Sequence, residues 1–266
     1  MKLGVSFNIF DGEEMLFFSL RNLRPMVDHI NVVYQTISNY GNKNQNLEDQ
    51  LDKYFRAGLI DKLFKYEPTF EKNEDGNIKW QNGQLNEIKK RNIGLNICRA
   101  NGCDTMITLD CDELYDPEQF KWAKKDFENG GYDTSFCKMS TFYKHSTLRL
   151  YPKEEYFAPL FYKIRKDTEF GYNMPFYPVT LDPTRKVKAG YSRIYEREEI
   201  EMQHFAYVRR DISSKVINSS SQSDEISKKK VIQHYENFND IKDGALLIGG
   251  QQFGLIKVEN KFDIEL

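Results

Sequence analysis

Residues Ile107 to Pro117 read ITLDCDELYDP, an apolar run followed at once by the carboxylates Asp110, Asp112 and Glu113. Asp110 and Asp112 are two residues apart, so an extended segment points both side chains the same way. Two carboxylates on one face repel, and burying each without compensation costs on the order of several kcal/mol. A divalent cation removes that cost. Hard oxygen ligands suit Mg²⁺ or Mn²⁺, which in turn bind phosphate oxygens. The plainer alternative is a solvated acidic turn, since Asp-x-Asp alone is a weak motif. Its position favours a metal–diphosphate clamp, because ligands of an open parallel sheet bind outside the carboxyl ends of the strands.

The elements ahead of this cluster set that position. Leu3, Val5, Phe7 and Ile9 alternate with Lys2, Gly4, Ser6 and Asn8, which predicts a strand ending in the polar NIFDGEE turn. Glu13 to Arg24 is helix-like and stops at Pro25, and HINVVYQT reads as a second strand. SNYGNKNQN is a loop of turn formers, LEDQLDKYFRAGLI an amphipathic helix, and IDKLFKYEP a third strand. A charged loop over Phe70 to Gly83 precedes a helix over Gln84 to Asn101, and DTMITLDCDE is the fourth strand. This alternation predicts an α/β fold with a mostly parallel central sheet flanked by helices. Residues 1–120 form the regular α/β half, and 121–266 a second half with a smaller C-terminal region of the same domain. In that second part EQFKWAKKDFENGG is a helix, YDTSFCKMSTFYK and YFAPLFYKIRK are strands, EIEMQHFAYVRRDI begins as a strand, and DEISKKKVIQHYENF is a helix. SSKVINSSSQSDE is the one low-complexity piece and reads as a flexible loop.

Composition narrows the function. The 266 residues carry 38 Lys plus Arg against 40 Asp plus Glu, a net charge of −2, so the chain as a whole is not a polycation built to coat nucleic acid. The four cysteines, Cys98, Cys103, Cys111 and Cys137, form no CxxC pair and read as free thiols of a reducing compartment. MKLGVSFNIF is too short and too soon polar for a signal peptide, and no apolar run approaches the ~18–20 residues of a membrane span. The expectation is a cytoplasmic protein without a transmembrane segment.

KKRNIGLNICRANGCDTMITLDCDELY resembles the centre of a GT-A fold glycosyltransferase, in which a helix with an Arg-Asn pair precedes the strand ending in Asp-x-Asp. The likeness covers roughly residues 1 to 210 and fits family-2-like nucleotide-sugar transferases of bacterial or phage type. It implies that Asp112 binds the metal, that Asp110 contacts the ribose or the metal, and that Glu113 is a further ligand or stands behind them. It implies that Arg91 and Asn92 reach the nucleotide and its phosphates, and that Phe7, Asn8 and Glu13 cup the base. The chain departs from the family at the second strand, where relatives carry an Asp-rich stretch. Here VVYQTISNYGN offers Gln35 and Ser38, so the base stays open with a UDP-sugar as the default.

EMQHFAYVRRDI resembles the late segment in which one histidine completes the metal site, a role that falls to His204. A neutral imidazole beside two carboxylates suits Mn²⁺ rather better than Mg²⁺. Its plain alternative is a half-buried strand histidine. Arg209 and Arg210 follow, either holding the diphosphate through planar donors or standing as solvated charge. An inverting transferase needs a carboxylate to take the acceptor proton. Asp182 is one candidate, against an Asx turn before Pro183, with Asp167 and Glu169 weaker.

The acceptor stays open between a saccharide and hydroxymethylated DNA bases, the latter by analogy with phage enzymes. Lys186, Lys188, Arg193, Arg209, Arg210, Lys215 and Lys228 to Lys230 would neutralise phosphates if they shared a face, but acidic residues interleave with them. Two other classes compete: a nucleotidyltransferase, which the acidic, glycine-poor NIFDGEEM turn disfavours, and a non-catalytic glycan- or nucleotide-binding protein, which would not need Asp110, Asp112 and His204 together.

Overall fold

The computed structural model describes residues 1–76, 78–79, 81–172, 174, 177–188, 190–219 and 224–266. In chain order it contains β1 (Leu3–Ile9), α1 (Glu13–Leu23), β2 (His29–Tyr34), α2 (Leu47–Arg56), β3 (Lys62–Lys65), α3 (Gln81–Ala100), β4 (Thr105–Leu109) and β5 (Glu113–Tyr115). There follow α4 (Pro117–Gly130), β6 (Thr134–Tyr143), β7 (His145–Tyr151), β8 (Phe157–Lys163), β9 (Ser192–Ile194), β10 (Glu201–Tyr207), α5 (Ile212–Asn218), α6 (Glu225–Glu236), β11 (Ala245–Leu246) and β12 (Gln252–Lys257). The expected α/β class is what the chain adopts. One sheet runs β11-β12-β7-β6-β8-β4-β1-β2-β3, with β9 and β10 also paired to β6 and β5 to β10. The β3-β2-β1-β4 half is parallel throughout, and β4 meets β8 antiparallel where the second half begins.

β1 is buried on both faces, which parallel strands covered by helices require. Leu3, Val5, Phe7 and Ile9 join a cluster with Leu16 and Leu20 of α1 and Leu51 of α2. The other face lies along α3 at close range. A Cβ on Gly4 would come within 2.6 Å of the Cys98 sulfur, and one on Gly94 within 1.8 Å of Ser6 Oγ. Further along, Asn8 donates to Glu87 at 3.4 Å. Residues 4, 6 and 8 thus meet 98, 94 and 87, so α3 runs antiparallel to β1, and its N-terminal turns arrive at the carboxyl end of the sheet. Among the described residues, no helix is long and apolar enough to cross a membrane. All four cysteines are free and buried.

The flexible loop expected over SSKVINSSSQSDE is corrected in its first part. Ile212–Asn218 is helix α5, with Asp211 accepting from Ser213 N at 2.8 Å as its cap. Ile212 and Val216, four apart, face the core and fix the helix there. Residues 220–223 of that stretch lie outside the described ones.

Candidate active site

At Leu109 the β4 ladder to β1 ends, with Phe7 opposite Leu109. The chain then turns through Cys111 and Asp112 and continues as β5, which pairs antiparallel with β10 and places Glu113 opposite His204. The extended segment expected at Asp110–Asp112 is therefore a turn, because the chain leaves one ladder to join another. The two aspartates accordingly take different partners.

Asp112 is 1% exposed. Its Oδ2 accepts from Arg209 Nη2 at 2.6 Å and from Lys215 Nζ at 3.3 Å. Burial pushes this carboxyl up, but Lys215 and Arg209 outweigh it and hold it far below the carboxylate range. Asp110 remains 42% exposed at its side chain, with Arg185 Nη2 at 2.7 Å and Arg91 Nη2 at 3.6 Å. Burial in the cleft raises it too, and Arg185 and Arg91 bring it below its ordinary value. Glu113 is gripped by both Arg185 Nη atoms, at 2.9 and 2.7 Å. Burial nevertheless pushes Glu113 up to about 7, Arg185 opposing and Asp110 adding to the rise.

Arg91 is buried within this network, donating to Thr108 Oγ1 at 2.7 Å. Asp182 caps the short 3₁₀ turn Pro183–Arg185, its Oδ1 accepting from Thr184 N and Oγ1 at 2.8 and 2.9 Å. The Asx turn and the candidate base are therefore the same residue. Its second oxygen lies 3.6 Å from Arg185 and 3.9 Å from Arg91, beside the cleft.

The cleft runs from this end to an amide-rich one at the carboxyl ends of β1 and β2, lined there by Asn8, Phe10, Gln35, Ser38 and Asn39, with the Glu87–Lys90 ion pair beside them. Ser38 Oγ accepts from the backbone of Tyr40 and Asn42 and shapes the loop. Asn42 donates to Asn218 at 2.8 Å, tying that loop to α5. A second cavity, of about 360 Å³, adjoins the charged end and shares Asp110 and Asp182 with it. Met139, Tyr156, Pro159, Met202 and His204 line it.

Other expected site residues lie elsewhere. Phe7 is in the core, fully buried, as its own two-residue period with Val5 and Ile9 requires. Asn92 spends both ends of its amide on the Phe170 backbone, at 2.9 and 2.8 Å, and anchors a loop. Glu13, on the first turn of α1, accepts from Asn44 and borders a neighbouring hollow along with Arg210. Of the cations offered for nucleic acid, Arg193 pairs with Asp126 and Glu199, Lys228 with Glu225, and Arg209 and Lys215 with Asp112. The sequence reading missed Arg185, Glu87 and Lys90 and gave Lys215 no place in the site. A signal existed for one pair: Glu87 stands three and four residues before Lys90 and Arg91, the spacing of helix ion pairs, and its carboxylate meets Lys90 at 2.7 Å.

A divalent cation at Asp112 would find two donors. Asp112 Oδ1 is buried without a hydrogen-bond partner, and His204 Nε2 lies 3.7 Å away. Burial lowers the imidazole to about 4 against the pull of Asp112, so it is neutral at pH 7 and free to ligate. This pair fits a cation whose other positions are filled by phosphate oxygens and water. Asp110 is committed to Arg185, and among the described residues no three His, Cys, Asp or Glu side chains converge as a metal-holding group.

No family model and no curated protein matches the chain. Among solved structures it is similar to residues 1–349 of S. aureus TarS in complex with UDP-GlcNAc, at 13% identity and a TM-score of 0.48, covering 89% of this chain and 72% of that one. A longer TarS structure aligns at 14% identity and a TM-score of 0.45, with 89% of this chain and 43% of that one covered. A mannose-1-phosphate geranyltransferase from Thermus thermophilus aligns at 15% identity and a TM-score of 0.31, over 61% of this chain and 50% of that one.

Proposed function

We propose that this protein is a GT-A type glycosyltransferase that moves a sugar from a nucleoside-diphosphate donor to a hydroxyl acceptor. The observation that carries this reading is the composition of one cleft. An amide-lined end suited to a nucleoside, its Glu87 paired with Lys90, leads to an end where Arg91, Arg209 and Lys215 crowd around carboxylates. A diphosphate spanning the two would lie with its charge against those cations.

In this reading Asn8, Gln35 and Asn39 hold the base, with a UDP-sugar the first donor to try. Asp112 holds Arg209 and Lys215 in place, so that their donors meet the charge that develops on the leaving diphosphate as the glycosidic bond breaks. Fixed donors of this kind are worth roughly 10²–10³ in rate each. Asp112 and His204 would hold a Mn²⁺ or Mg²⁺ ion, which would supply further charge stabilisation to the same phosphates. The sugar would sit where the two cavities share Asp110 and Asp182. The acceptor hydroxyl would approach from the cavity lined by Tyr156, Met139 and Met202, and the second oxygen of Asp182 would take its proton in a single inverting displacement. That small, partly apolar cavity suits a saccharide better than a duplex, and Arg193, Arg209, Lys215 and Lys228, among the cations a duplex would need, are paired within the chain.

The test is release of free nucleoside diphosphate from a panel of nucleotide sugars with Mn²⁺, using the native chain and Asp112→Ala. Release from one donor, abolished by EDTA and by the substitution, is the expected outcome. No release from any donor, together with no thermal shift from any nucleotide plus metal, would overturn the proposal.

A further inference from the structure

Strand β10 borders a cavity on each of its faces. Met202 and His204 line the one beside Asp110 and Asp182. The alternate residues Glu201, Gln203 and Phe205 line another, of about 320 Å³, on the opposite face. That volume is at the small end of the range for ligand pockets. Its lining residues include none of those around the cleft or the cavity adjoining it. Phe205 stacks on Phe142 of β6 at 4.3 Å on this side. The segment after β12 forms a wall, pinned where Val258 N donates to Thr147 O at 2.8 Å and Ser146 Oγ donates to Ile264 O at 3.0 Å. Val258 and Phe262 of that segment give the cavity its half-exposed apolar side.

The opposite side is charged and out of balance. Lys153 Nζ donates to both oxygens of Glu201, at 3.1 and 2.8 Å, and Arg197 pairs with the same carboxylate. Burial raises Glu201, but the two cations outweigh it and keep it ionised. Asp116 spends its Oδ1 on Glu118 N and Gln119 N, at 3.0 and 3.1 Å, as the cap of α4. Arg149 of β7 is the third cation. It is half-buried, and among the described residues its side chain has neither an ion pair nor a hydrogen bond. Glu198, Glu259 and Lys261 also border the cavity but are exposed, where water and salt screen them. The inner lining therefore sets Arg149, Lys153 and Arg197 against Glu201 and Asp116, an excess of one positive charge.

A cation withdrawn from water without a partner is costly, and such groups are ordinarily paired. A guanidinium matches a carboxylate through two parallel N–H donors. One excess charge calls for a monoanion, since a dianion would leave a charge uncompensated beside Glu201 and Asp116. We infer that this cavity is a second ligand site, for a small monocarboxylate held by Arg149 on the face of β10 turned away from the cleft. The body of the ligand lies between Val258 and Phe262 on one side and Gln119 and Gln203 on the other, and either an apolar or a hydroxylated body finds contacts there.

The experiment is calorimetric titration of the full chain with benzoate, glucuronate and benzamide, repeated on Arg149→Gln and Arg149→Lys. Benzamide has the shape of benzoate without its charge. At least one of the two carboxylates should bind saturably, and about tenfold or more tighter than benzamide, the scale of one charge-assisted contact. The benzoate and glucuronate arms decide which body the site takes. Arg149→Gln should bring carboxylate affinity down to the level of benzamide. Arg149→Lys keeps the charge and loses the planar fork, so it should lose part of the affinity, and it serves should Arg149→Gln fail to fold. No saturable binding of either carboxylate, or benzamide binding as tightly as they do, would overturn the inference. So would a carboxylate affinity unchanged by substitution of Arg149, which would put the binding elsewhere. None of these titrations involves a nucleotide, so their outcome is independent of the nucleotide-sugar reading.

Discussion

Arg209 and Asp112, 97 residues apart in sequence, meet at 2.6 Å inside the protein, with the Arg209 side chain 4% and the Asp112 side chain 2% exposed. A buried ion pair of this kind is weak grounds for stability, since desolvation offsets much of the attraction. Its value here is positional: Asp112 holds Arg209 and Lys215 at the cleft. Asp112→Asn keeps the shape and removes the charge that holds them. Donor cleavage should fall by roughly 10²-fold or more, the scale of losing a preorganised electrostatic contact. Steady-state release of nucleoside diphosphate checks it, with a native-like circular dichroism spectrum as control.

Arg185 bridges Asp110 and Glu113 and is itself buried. Removing one partner of a buried pair leaves the other charge uncompensated, at a cost of roughly 3–5 kcal/mol. Arg185→Met should show that loss in urea denaturation. Adding Glu113→Gln to the same chain should restore part of it, because the more buried of the two stranded carboxylates is then gone while Asp110 remains. A double-mutant cycle with no coupling between the two positions would contradict the assignment.

Glu87 carries a pH signature. Its folded carboxyl lies below the ordinary value of 4.5 because Lys90 and Arg91 outweigh the burial that raises it. A group depressed in the folded state contributes stability that is fully present above its unfolded pKa and is lost as pH falls through the folded one. Stability of the native chain should therefore drop below about pH 4.5, as the unfolded chain takes up the proton first. In Glu87→Gln that acid-side slope should be shallower. Urea midpoints measured between neutral pH and the acid range check this.

The parallel half of the sheet was legible because its elements carry clean periods: two in Leu3–Ile9, helical in Leu47–Arg56. The same period assigns Phe7 to the core, and the family resemblance overrode it. Strands β7, β9, β11 and β12 were not marked, being short or polar on one face and placed only by pairing with β6, β7 or β12. Helix α5 was hidden by its serines, since Ser213 and Ser214 look like linker, while Ile212 and Val216 supply the core stripe. In the site, Asp110, Asp112, Arg91, His204, Arg209 and Asp182 do converge on adjoining cavities. Arg185 could not be singled out, because nothing local distinguishes it from Lys186 and Lys188. Only the fold puts it between Asp110 and Glu113.

Gly12 shows how tightly the turn after β1 is bound to the charged end. It caps α1 with φ at +81°, a conformation that costs an L side chain about 1–2 kcal/mol. A Cβ there would also lie 2.1 Å from Arg209 Nη1 and 2.6 Å from the Cys111 sulfur. The guanidinium thus passes over Gly12 on its way to Asp112, and the absence of a side chain keeps that path open. Gly12→Ala should lose stability by at least the backbone cost. It should also displace Arg209 from Asp112, so donor turnover should fall about tenfold or more, on the scale of a misplaced catalytic group. The two effects separate by comparison with Arg209→Gln. If Gly12 acts through Arg209, adding Gly12→Ala to Arg209→Gln should cost stability but little further turnover. If the losses in turnover multiply instead, the turn has a role of its own and the threading explanation fails.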